Sequence, residues 1–129
     1  MSTVLEKYEE LCICKDTRIS CKKGELLDAL SGQYNKICNQ DVYLQKRGEN
    51  WDLLYETGDG GKAYRLYIWP AVKIRMEASI SQLDEVISTY VERASKMFQI
   101  SDVCCDVKRF DTKEDFLIAD LYMGYEDSQ

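Results

Sequence analysis

Residues 64–78 read YRLYIWPAVKIRMEA, and the run alternates along its whole length. Tyr64, Leu66, Ile68, Pro70, Val72, Ile74, Met76 and Ala78 take the even positions, while Arg65, Tyr67, Trp69, Lys73, Arg75 and Glu77 take odd ones. A period of two sends successive side chains to opposite faces and predicts a strand with an apolar face and a face of aromatics and cations. Pro70 lacks an amide donor. The strand is therefore expected to bend there, to lie at an edge, or to be two strands joined by a bulge.

Working outward, residues 57–61 (TGDGG) form a turn, and the preceding segments 42–46 and 51–56 read as a hairpin around residues 47–50 (RGEN). Gly58-Asp-Gly-Gly-Lys62 resembles a phosphate loop only superficially. Glu56 stands where the first glycine belongs, Ala63 replaces the Ser or Thr, and the loop joins strand to strand. Downstream, Leu83, Val86, Ile87, Tyr90, Val91, Ala94, Met97 and Phe98 recur at helical spacing, with Ser81 and Asp84 as a capping box, so residues 81–98 predict a helix. Residues 102–110 and 115–125 predict two more strands around an acidic turn, and 126–129 a frayed tail.

Toward the N-terminus, Thr3 and Glu6 give a second capping-box pattern, followed by Val4, Leu5, Tyr8, Leu11 and Cys12 at helical spacing. A short helix is expected over residues 3–14 and a polar connection over 15–24. An amphipathic helix then follows through Leu26, Leu27, Leu30, Tyr34, Ile37 and Cys38, weakened at Gly32. The predicted order is ααβββαββ: a single α+β domain over residues 1–129, with one antiparallel sheet of about five strands, a long helix on one face and two N-terminal helices. No internal repeat is visible in the sequence.

Composition narrows the function. The 129 residues are enough to bury a substantial core, and the net charge of −6 repels nucleic acid and anionic membranes while attracting a basic protein partner. No apolar run approaches a membrane span. The first residues carry Glu6, Glu9 and Glu10 where a signal peptide is basic and then apolar, so a cytoplasmic location is expected. Cys12, Cys14, Cys21, Cys38, Cys104 and Cys105 accordingly read as thiols. The spacing of the first four does not match paired zinc knuckles, and the chain has no histidine, so neither a metal nor a cofactor is expected. The lack of histidine also excludes imidazole-based nucleophile pairs. Carboxylate chemistry with a divalent metal remains conceivable through Asp111, Glu114, Asp115 and Asp120.

The sheet is expected to be apolar on both faces. Trp51, Leu53, Tyr55, Tyr64, Leu66, Ile68, Val103, Cys105, Val107, Leu117, Ala119 and Leu121 form one face. Leu54, Tyr67, Trp69, Cys104, Phe110, Phe116, Ile118 and Tyr122 form the other. Either the N-terminal helices cover the second face, or part of it, rimmed by Arg65, Lys73 and Arg75, meets a partner. Leu54, Arg65, Tyr67, Trp69, Arg75, Ile118 and Tyr122 are the candidate partner-binding residues. The expected function is non-enzymatic: binding and neutralising a basic protein, in the manner of an immunity protein or inhibitor. In size, acidity and element order the chain is similar to the class I chaperones of type III secretion systems, which implies as a second expectation a homodimer that binds unfolded effector segments. The extra N-terminal helix and the missing C-terminal helix depart from that pattern, and the resemblance assigns no residues.

Overall fold

The structure, a computed structural model, describes residues 6–8, 11–37, 41–57, 64–68 and 71–126, and for residues 6–8, 11–13 and 65–68 the backbone alone. Where the sequence pattern predicts a helix, the chain opens with strands β1 (Glu6–Tyr8), β2 (Leu11–Lys15) and β3 (Thr17–Cys21). A helix of about 12 residues is marginal without packing, and residues 11–21 (LCICKDTRISC) also alternate, so pairing with other strands decides the outcome. Strand β3 lies in the stretch expected to be a connection; its polar composition is that of an edge strand.

Helices α1 (Leu26–Gly32) and α2 (Tyr34–Ile37) divide the predicted second helix at Gly32 and Gln33. The predicted hairpin forms as β4 (Val42–Arg47) and β5 (Asn50–Tyr55), with Gly48 at φ +61° in its turn. The opening run becomes two strands, β6 (Tyr64–Ile68) and β7 (Ala71–Ala78), which belong to different sheets. Trp69 and Pro70, at the break, lie outside the described residues, as do the turn glycines 58, 60 and 61. After a 3-10 turn at Ile80–Gln82 come α3 (Leu83–Ala94), β8 (Gln99–Asp111) and β9 (Phe116–Glu126). Glu126, expected in the tail, pairs with Gln99. The Ser81–Asp84 capping box does not form. Asp115 instead accepts hydrogen bonds from the Ser81 amide and hydroxyl, bracing the helix start from the β8–β9 turn.

The fold is α+β with a larger antiparallel sheet than expected: seven strands in the order β1-β7-β9-β8-β4-β5-β3, plus a two-stranded sheet of β2 and β6. All three helices pack on one face. Leu26, Leu30, Ile37, Leu83, Ile87 and Ala94 join Trp51, Leu53, Tyr55, Ile74, Met76, Cys105 and Leu121 in one core. Among the residues whose side chains are described, the predicted inward set holds except at Tyr64, which packs on the other face; the side chains of Leu66 and Ile68 on β6 lie outside that description. Phe110 moves the opposite way. A register shift between Val107 and Arg109 inserts a residue into β8, so Phe110 falls opposite Leu117 and packs on the helix side.

The topology repeats although the sequence does not. The units β3-α1-β4-β5 and β7-α3-β8-β9 each lay their strands in the same order, and they meet where β4 pairs with β8. The pairing of Val42–Lys46 with Val103–Val107 is the seam between the two halves of this approximate repeat. Residues 6–8 lie at one outer edge, beside β7, and residues 17–21 at the other, beside β5, with residues 11–15 between them paired to β6. Strand β6 runs with them, joining β5 to β7. This ribbon covers the second face of the sheet: Tyr64 packs on Leu54, Ala71, Cys104 and Tyr122, and Lys15 lies 5.4 Å from the Tyr43 ring. The N-terminal segment is thus the second cover, as β structure rather than helix.

On the helix side, Trp51 is buried and its indole nitrogen needs an acceptor. It donates to Asp84 Oδ1 at 3.1 Å, and Lys46 pairs with the same oxygen at 2.5 Å, pinning α3 to the β4–β5 hairpin. Asp84→Ala is expected to lower unfolding free energy by about 1.5–3 kcal/mol, the range for hydrogen bonds to a charged acceptor. In urea unfolding this is a lower midpoint with an unchanged slope.

Candidate functional site: the second face of the sheet

Arg18 and Ser20 of β3, Asp52 and Leu54 of β5, the odd-numbered residues of β7, Cys104 and Asp106 of β8 and the even-numbered residues of β9 would normally face solvent in a sheet with helices on one side. Here the covered centre of that face is apolar, with Leu54, Ala71, Cys104 and Tyr122 buried and Tyr43 and Tyr64 packed against them. Burial, with the charges of Asp106 and Asp41, pushes the Tyr43 hydroxyl up to about 12. Leu54 and Tyr122, predicted as partner contacts, are interior residues under the ribbon. Arg65 and Tyr67 lie on β6, opposite Cys14 and Cys12, with their side chains outside the description, and Trp69 lies outside it altogether.

Two carboxylates are buried on this face, and composition alone gave no sign of their burial. Asp52 is 2% exposed and Asp120 3% exposed. Asp120 accepts a hydrogen bond from Arg75 Nε on Oδ1 at 2.5 Å, with Lys73 at 3.6 Å and Lys108 at 3.9 Å from Oδ2. Lys108 also pairs with Asp106 at 2.8 Å. Burial raises the Asp120 pKa, but the Arg75 hydrogen bond and the charges of Lys73, Arg75 and Lys108 more than offset it, leaving it below the usual carboxylate range. Asp52 meets Arg18 at 2.8 Å and Arg47 at 3.1 Å and accepts the Ser20 hydroxyl at 2.6 Å.

Beyond the ribbon, toward the β8–β9 turn, the same face is open. Arg75, Glu77, Lys108 and Arg109 are exposed, Ile118 and Phe116 are half-buried, and the Arg109 guanidinium lies 6.0 Å from the Phe116 ring. Arg75 and Ile118, both predicted contacts, come together here, with Arg75 59% exposed although its Nε is fixed. Arg109 enters this patch only because of the β8 bulge, a feature periodicity does not show.

The candidate catalytic carboxylates do not converge. Asp111 accepts the amides of Lys113 and Glu114 in its own turn, Asp115 braces Ser81, and Asp120 sits in the ion cluster. Among the described residues no group of three potential metal ligands forms. Cys104 was expected to point outward if Cys105 pointed inward. The two do face opposite sides, but both are buried, and burial pushes both thiols up, with neighbouring negative groups adding to it.

Two outcomes are expected. Because the folded-state pKa of Asp120 is depressed, its contribution to stability is complete above the unfolded value near 4 and is lost as pH falls through the folded value. Urea midpoints should therefore drop below about pH 4, and less steeply in Asp120→Asn. Peptide mass spectrometry after brief alkylation at about pH 8 should find exposed Cys14 modified and buried Cys104 and Cys105 untouched until the protein unfolds.

A comparison with curated proteins finds no match. Among solved structures, a Staphylococcus aureus MU50 protein described provisionally as a bacterial transcription regulation protein is similar in fold. Its TM-score is 0.55 over 98% of this chain and 99% of that one, at 10% sequence identity. The profile of the family of unknown function DUF5975 matches residues 2–125, nearly the whole chain; the chain belongs to this family.

Proposed function

We propose that this protein is a cytoplasmic binding module that acts on another protein by occupying it, in the manner of an inhibitor, rather than by catalysis. The observation that carries the reading is the open end of the second face. There the exposed Arg75 is held in place by buried Asp120, beside Ile118 and the Arg109–Phe116 pair. Arginines and aromatics around an apolar centre match the composition of interface anchors. An arginine already fixed in orientation also loses less entropy when a partner arrives. The net charge of −6 steers a partner that is basic overall, whose contact patch supplies the acidic or aromatic groups that suit Arg75 and Arg109. No helix among the described residues is long and apolar enough to cross a membrane, which is compatible with the cytoplasmic placement.

The chaperone-like homodimer has less support. The exposed large hydrophobics among the described residues are Tyr34 on α2 and Met97 between α3 and β8, whereas a stable dimer needs a contiguous apolar area.

Affinity purification from the native host, at low and moderate salt, compares the wild type with Arg75→Ala/Ile118→Ala. The wild type should retain a stoichiometric protein partner, and the folded variant should retain at least about fivefold less, as for the loss of 1 kcal/mol or more. A wild type without a stoichiometric partner, or a variant that retains it equally, would overturn the proposal.

A further inference from the structure

The two halves of the sheet balance their buried carboxylates differently. In the second half, Asp120 is surrounded by Arg75, Lys73 and Lys108, and Asp106 takes up part of that positive charge through Lys108. In the first half, Arg18 Nη2 and Arg47 Nη1 converge on a single oxygen, Asp52 Oδ2, while Oδ1 accepts the Ser20 hydroxyl. Among the described residues no second carboxylate pairs with either arginine. One buried negative charge therefore serves two guanidinium groups.

Each guanidinium carries five N–H donors in a planar fork. Asp52 uses only part of this capacity, and Arg47 remains 54% exposed. Arg18 is oriented from behind by the Tyr64 ring at 5.9 Å. The unused donors of Arg47 border a depression of about 390 Å³ lined by Ser20, Arg47, Asn50 and Asp52. It shares Ser20 and Asn50 with a neighbouring depression of about 220 Å³, to which Cys21, Lys22 and Glu25 contribute. Glu25 receives the Lys22 amide at 3.4 Å and keeps a negative charge at that far side. The attraction for an anion is thus concentrated at the arginine end.

We propose that this depression binds an oxyanion, a carboxylate or phosphate group of a small molecule, with Arg47 as its principal ligand, Arg18 and Lys22 adding charge and the Asn50 amide a neutral donor. A planar fork with free donors suits two-point binding of either group. The site lies beside β3, at the opposite end of the sheet from the proposed partner surface, so the two can be tested separately.

The test is a titration of the isotope-labelled full chain by two-dimensional NMR, once with inorganic phosphate and once with succinate, at constant ionic strength set with sodium chloride. Saturable shifts centred on Ser20, Arg47 and Asn50, with a dissociation constant on the order of 1 mM for at least one probe, are expected. The tighter probe tells phosphate from carboxylate. Arg47→Ala, at an exposed side chain, should weaken binding about tenfold. Asp52→Asn, which removes the competing charge, should tighten it if the variant folds, whereas a purely structural ion pair would give no gain. Unsaturable shifts with both probes, or equal affinity in folded Arg47→Ala, would overturn the proposal, and Arg47→Ala decides the matter even if Asp52→Asn does not fold.

Discussion

Leu53 and Leu54 are adjacent on β5 and both buried, and the same holds for Cys104 and Cys105 on β8 and for Leu121 and Tyr122 on β9. Neighbouring residues on a strand face opposite ways, so this sheet is apolar on both sides and must be covered twice. Three helices cover one side. The other is closed by a ribbon that starts beside one edge strand, crosses over Tyr43, Cys104 and Tyr122, and ends beside the opposite edge. The cover also occupies both sheet edges, with β1 beside β7 and β3 beside β5. Those edges would otherwise offer β7 and β5 to foreign strands.

The double cover explains where charge resides. A face that is partly roofed cannot hydrate its polar residues fully, and a carboxylate there persists only if cations and hydrogen bonds replace the lost water. Asp52 and Asp120 both meet this condition. In meeting it, each fixes arginines whose outer surfaces remain in solvent: Arg47 at one end and Arg75 at the other. Buried acids thus orient exposed cations, and this link connects the packing of the sheet to the two surfaces offered for binding. The approximate repeat sets them apart, since β3 and β5 on one side and β7 and β9 on the other hold corresponding places in the two halves of the sheet.

Periodicity made the second half of the fold legible. Strands β7, β8 and β9 and helix α3 announce themselves through long alternating or helical patterns, because each buries a full face. At residues 6–8 and 11–14 strands replace the expected helix for a physical reason. Val4, Leu5, Tyr8, Leu11 and Cys12 satisfy helical spacing, while Leu11 to Cys14 also satisfy alternation, and the presence of β6 as a pairing partner favours the latter. The exposure of Arg75 and the placing of Ile118 on the second face were readable from alternation. Leu54 and Tyr122 were not readable as interior residues, since their burial depends on the ribbon. Asp52 and Asp120 look like ordinary surface acids until the strands that bring arginines to them are in place, and the β8 bulge that relocates Arg109 and Phe110 leaves no mark in composition.

Amide hydrogen exchange of residues 11–15 and 64–68 in the native protein tests the double cover most directly. If the ribbon is paired across the second face, its alternating ladder amides exchange far more slowly than unstructured chain, at rates governed by opening of the fold. Exchange of residues 11–15 at the rate of an unstructured peptide, with the rest of the sheet protected, would contradict the account and leave the second face uncovered.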